Sequence, residues 1–98
     1  MIEYAPRALR QIDALLLHYD ERQRDGAAQA LSRALAEAER RIENNPAAGL
    51  RAPRPHPQLA RPGVAWIKAG RYWIAYDLSS PPVIVAVFFE TANIPGRL

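Results

Sequence analysis

Apolar positions recur first at helical spacing and later in alternation, and the switch between the two divides the chain. Ala8, Leu9, Ile12, Leu15, Leu16 and Tyr19 mostly fall three or four apart, which predicts one helix from Arg7 with Arg10, Glu21 and Arg24 on its far face. Asp25-Gly26 breaks that pattern. Leu31, Ala34, Leu35, Ala38 and Ile42 then predict a second helix from about Ala27 to Glu43, and so short a link makes the pair an antiparallel hairpin. Ahead of both, Ile2 to Tyr4 is expected to be extended, because Pro6 restricts Ala5 and suits the first turn of the helix that follows.

Asn44-Asn45-Pro46 ends the helical half, and residues 46–63 hold five of the nine prolines. Fixed φ angles exclude helix and central strand there, and predict a stiff surface loop rather than a flexible linker. Beyond it, Val64 to Lys68 and Arg71 to Leu78 alternate as strands around Ala69-Gly70, the expected turn. Alternation sets Tyr72, Ile74, Tyr76 and Leu78 on one face and Arg71, Trp73 and Asp77 on the other. A two-residue turn pairs Lys68 with Arg71 and Trp66 with Trp73; alanine suits a primed turn poorly, so a bulged or longer turn stays open. Val83 to Phe89 is apolar on both faces, as a central strand covered by the helices would be. The fold class expected is α+β in the order β-α-α-β-β-β, with the helix hairpin (about 7–44) on a small antiparallel sheet (64–89). One domain spans 1–98, with the loop at 46–63 and a short tail at 90–98.

Charge follows the same division. Residues 1–45 carry 7 Lys and Arg against 8 Asp and Glu, whereas residues 46–98 carry 6 against 2, so the excess of cations lies with the loop and the sheet. This favours an acidic protein surface or a phosphate backbone as partner. The chain has no cysteine, which excludes thiolate chemistry and disulfides and fits a reducing compartment. No apolar run approaches the roughly 18 to 20 residues of a membrane span, and no signal-peptide pattern opens the chain; a cytoplasmic protein is expected. His18 and His56 lie far apart with no cluster of carboxylates, so no metal site and no cofactor are expected.

The order of elements resembles that of the RelE/ParE superfamily of bacterial toxins from type II toxin-antitoxin modules, and three motifs bring it closer to the ParE branch. Ala8, Ile12, Leu15 and Tyr19 resemble that branch's first-helix pattern. Pro46 and Gly49 resemble its "P, two residues, G", and Gly70-Arg-Tyr-Trp-Ile-Ala-Tyr76 its central strand. The resemblance implies a toxin that inhibits DNA gyrase or another topoisomerase by binding and is held in a hetero-oligomer by a cognate ParD-like antitoxin. The antitoxin would wrap the toxin with a segment disordered when free.

Ribonuclease members of the superfamily need a base, an acid and cations at the scissile phosphate. By the same resemblance Trp73 stands where such members often carry arginine, and Phe88-Phe89-Glu90 where they carry histidine or tyrosine. An endoribonuclease would then rest on Lys68, Arg71, Glu90 and perhaps His56. A degenerate toxin that keeps only antitoxin binding is the third reading. Candidate target-binding residues are Lys68, Arg71, Trp73, Arg54, Arg61 and Arg97; candidate antitoxin-binding residues are Leu9, Leu16, Trp66 and Trp73. Trp66 and Trp73 are expected on a face that a partner covers.

Overall fold

The computed structural model describes residues 2–92. Strand β1 (Glu3–Tyr4) leads directly into helix α1 (Pro6–Glu21), which packs beside α2 (Asp25–Asn44). The chain then crosses two single 3-10 turns, Pro46–Ala48 and Pro57–Leu59, and ends in β2 (Val64–Ala69), β3 (Tyr72–Asp77) and β4 (Val83–Phe89). Sheet order is β1-β4-β3-β2, with β1 parallel to β4 and the other pairs antiparallel. The α+β order is the one the sequence predicts, but the sheet is mixed, because the extended segment before Pro6 joins the edge of β4.

Two helix boundaries follow local chemistry. Pro6 occupies the first helical turn of α1, where its missing N–H costs no bond. The link between the helices is Arg22 to Arg24 rather than Asp25-Gly26: Gln23 takes a positive φ of 54°, and Asp25 opens α2, its carboxylate favoured at the positive end of the helix dipole.

The β2–β3 turn is Gly70-Arg71, with Ala69 opposite Tyr72 and Lys68 opposite Trp73. Gly70 holds φ +56°, the left-handed geometry that a two-residue hairpin demands and that alanine resists, which displaces the turn one residue from Ala69-Gly70. Lys68 therefore does not pair with Arg71, and Trp66 faces Ala75 instead of Trp73. Strand β3 stops at Asp77, so Leu78 lies outside it and is exposed.

The sheet separates two apolar clusters. On the helix side lie Ala8, Tyr19, Leu31, Ala38 and Ile42 with Ile67, Tyr72, Ile74, Tyr76, Ile84 and Val87. Trp66, Trp73, Ala75, Ala86, Phe88 and Leu59 form the second cluster on the opposite face. An irregularity at Ala75/Tyr76 opposes Ala75 to Ala86 and Tyr76 to Ile84, leaving Val85 as the extra residue of a bulge.

The proline-rich segment covers that second face. Leu50 exchanges both backbone hydrogen bonds with Trp66 at 2.7 Å, and Leu59 is buried on the cluster. Arg41 donates from Nη1 to the Lys68 carbonyl at 2.9 Å, so the outer edge of β2 is occupied by the chain itself.

The motif residues Pro46, Gly49 and Tyr76 meet in one place. The Tyr76 hydroxyl donates to the Pro46 carbonyl, and Gly49 lies against the Tyr76 ring. Burial pushes the Tyr76 phenol up, partly offset by a backbone hydrogen bond from Gly49 and by the Arg41 charge. These residues join the loop to the sheet, which gives that motif an architectural role.

Candidate functional site

The hairpin end of the sheet gathers most of the chain's described chemistry. Lys68, last but one in β2, and Arg71, in the turn, both reach Glu90 just beyond β4: Lys68 Nζ lies 3.2 Å from Oε2 and Arg71 Nε 2.9 Å from Oε1. Their hydrogen bonds, that of Arg71 first and that of Lys68 second, hold the Glu90 carboxyl below its ordinary value. A carboxylate held in this way is ionised at neutral pH and already committed as an acceptor, a poor position for a general base or acid.

Trp73 forms the floor beside this cluster. Its ring has Arg54 Cζ at 5.4 Å and Lys68 Nζ at 5.5 Å from its centre, so a loop cation and a strand cation share one indole. Arg71 Cζ sits 4.9 Å from the ring centre of Phe89. The result is a surface of Arg54, Lys68 and Arg71 over aromatic rings, with Glu90 as its one close carboxylate among the described residues.

Other expected site residues lie apart. Arg61 is exposed at the opposite end of the sheet, where it lines cavities with Gly63 and Val64. His56 sits in the loop at the start of its second 3-10 turn, whereas the ion-pair partners of Glu90 are Lys68 and Arg71. Arg97 falls outside the described residues. Leu9 and Leu16 are 48% and 37% exposed on α1.

The expectation that a partner covers Trp66 and Trp73 is corrected. Both lie on the face away from the helices, only 2% and 3% exposed, beneath the chain's own loop. A single groove lined by Leu9, Leu16 and Trp73 is therefore not formed, since the sheet lies between the tryptophan and α1. Trp66 stacks with Phe88 at 6.5 Å between ring centres, and its indole N–H is buried without a partner among the described residues.

Sequence reasoning missed three polar ties. Tyr19 and Tyr72 join hydroxyls inside the helix-side core, where burial first and the Tyr19 hydrogen bond second push the Tyr72 phenol up. Tyr4 donates to Glu39 Oε2 at 2.6 Å, linking β1 to α2. The Gln11 side-chain oxygen accepts from the Val87 N–H at 2.8 Å, across 76 residues. Only the tyrosines' positions inside apolar patterns hinted at these ties, and nothing local named a partner.

The Glu90 tie has a pH signature. Its pKa is depressed in the folded chain, so its contribution is present above the unfolded value and is lost as pH falls through the folded one. Urea midpoints taken between neutral pH and about pH 3 are expected to fall less steeply with acid in Glu90→Gln than in the parent. Equal slopes would contradict the tie.

Among the described residues no group of His, Cys, Asp or Glu is placed to hold a metal ion, and no helix is long and apolar enough to cross a membrane. The family model for the ParE toxin of the type II toxin-antitoxin system parDE matches residues 2–90. A search of curated proteins found no match.

Proposed function

Since the chain belongs to the ParE toxin family of type II toxin-antitoxin systems, we propose that it acts by binding to DNA gyrase or a related topoisomerase and is neutralised by its cognate antitoxin in a cytoplasmic complex. The hairpin end of the sheet is the surface offered to the target. One observation carries the choice of binding over catalysis: the carboxylate nearest the cations, Glu90, is locked by Lys68 and Arg71 with its pKa lowered. A ribonuclease needs a proton acceptor and a proton donor flanking a phosphate. Phe88 and Phe89 supply neither, and His56 is elsewhere in the loop.

Arginine and lysine over aromatic rings suit recognition. The Arg71 fork can engage a carboxylate or a phosphate, and its side chain is 65% exposed. Arg71 and Lys68 are anchored by Glu90, so less side-chain freedom is lost when a partner binds.

The test is biochemical. The purified chain, added to gyrase and relaxed plasmid, is expected to inhibit supercoiling and to leave cleaved DNA, with Arg71→Ala weaker. Addition of the antitoxin is expected to abolish the effect. Normal supercoiling at saturating toxin would overturn the gyrase assignment.

A further inference from the structure

The end of the sheet away from the hairpin turn holds two adjoining hollows. The first, of about 250 Å³, has a floor of Leu59, Trp66, Ala75, Val85 and Ala86, and Arg7 and Arg61 line it too. The second, of about 410 Å³, shares Arg61 and Val64 with the first and adds Arg51 and Leu78. No carboxylate lines either one. Strand register sets Asp77 opposite Val64, but its Oδ1 already accepts from the Ser79 N–H at 2.8 Å. Arg51 and Arg61 make no ion pair with a described carboxylate.

The chain fixes Arg61 at the rim. Its carbonyl accepts from the Val64 N–H at 3.3 Å, and Gly63, at a positive φ of 77°, accepts from the Leu78 N–H at 2.8 Å. The turn is thereby tied to the ends of β2 and β3, while Arg61 itself stays exposed. Among the floor side chains Trp66 alone carries a polar atom. The residue is 2% exposed, and its indole N–H is buried with no acceptor among the described residues. Buried polar groups in native proteins are almost always hydrogen-bonded, so an orphan donor calls for a specific explanation.

An unpaired donor in the floor and an unpaired guanidinium at the rim ask for the same guest. We propose that the first hollow binds a small planar acid of the heteroaromatic carboxylate class, its ring acceptor taking the Trp66 indole N–H and its carboxylate lying on Arg61. The guanidinium fork matches a planar carboxylate, and Arg51 in the adjoining hollow adds a second cation without a competing anion. A volume of about 250 Å³ suits one substituted ring; it lies below the roughly 300 to 1,000 Å³ of sites for drug-sized ligands and is too small for a peptide segment.

The experiment uses the full chain with 15N-labelled tryptophan and isonicotinate as the probe, beside benzoate, which lacks the ring acceptor, and isonicotinamide, which lacks the charge. The chain's two tryptophans give two indole N–H signals, and the one that persists in Trp73→Phe belongs to Trp66. Isonicotinate is expected to move the Trp66 signal downfield and saturably while the Trp73 signal stays in place. Affinity is expected to fall at least about tenfold for benzoate, for isonicotinamide and in Arg61→Ala, whose exposed side chain leaves folding intact. No saturable shift by about 10 mM probe, equal binding of benzoate, unchanged affinity in Arg61→Ala, or shifts centred on Arg54 and Arg71 would each overturn the proposal. So would an indole cross-peak to water in place of the pyridine protons at saturation, since solvent then satisfies the donor. The hollow shares no residue with the hairpin-end surface, so these outcomes do not depend on whether the chain poisons gyrase.

Discussion

Trp73→Ala is expected to destabilise the chain by about 4 kcal/mol, more than any single cation at the same surface. The indole is 3% exposed and belongs to the second cluster with Trp66, Phe88 and Leu59, so truncation leaves a cavity beneath the proline-rich loop. It also removes the ring that Arg54 and Lys68 share, leaving both cations without their stacking surface. Against a typical total of about 5 to 15 kcal/mol, this is a large fraction of stability. Urea unfolding should show a lower midpoint with an unchanged slope, and Trp73→Phe, which keeps a ring over Ala75 and Ala86, should lose less than half as much. Loss of toxicity in Trp73→Ala therefore reports lost folding. Arg71→Ala is the cleaner probe of target contact, because its side chain is 65% exposed.

Gly49→Ala is expected to cost about 3 kcal/mol for a different reason. The glycine's φ of −67° and ψ of 159° are open to any residue, so space rather than freedom is what it provides. An added Cβ would stand 2.3 Å from the Tyr76 hydroxyl and 2.8 Å from Ala65 Cβ, and the buried Tyr76 cannot withdraw without giving up its bond to the Pro46 carbonyl. Overpacking of about 1 to 3 kcal/mol adds to a lost hydrogen bond of about 1 kcal/mol. A double-mutant cycle identifies the clash: Tyr76→Phe removes the atom that the methyl meets first, so Gly49→Ala should cost distinctly less in that background. Additive costs would place the strain elsewhere.

Much of the fold was legible in the chain because its periods are strong. The spacing of Ala8, Ile12, Leu15 and Tyr19 marks the buried side of α1, and the apolar run from Val83 to Phe89 marks a central strand, which β1 and β3 flank. What escaped was set by geometry that periodicity does not carry. Ala69-Gly70 and Gly70-Arg71 satisfy the alternation equally well, and the positive φ at the first turn position, which glycine takes and alanine resists, decides between them. The slip moved Trp66 from Trp73 to Ala75, yet the pairing sum changed by an even step, so the two indoles kept one face.

The site was less legible, because its contacts are long-range. Lys68, Arg71 and Glu90 each stand out in the sequence, but that Glu90 pairs with both cations depends on where β4 ends beside the turn. The covering of Trp66 and Trp73 by the loop was missed because proline content signals stiffness without saying what a stiff segment lies upon. Leu59 and Pro53, both buried, were the apolar residues in that loop which announced a second packed face.

The proposed function has this toxin bind a DNA-cleaving enzyme and perform no cleavage itself. The measurement that meets it most directly is the state of DNA and transcripts in cells after the chain is induced without its antitoxin, with Arg71→Ala alongside. Double-strand breaks covalently linked to gyrase, together with intact transcripts and a reduced effect in Arg71→Ala, are the predicted result. Transcripts cut soon after induction while the DNA stays whole would contradict it.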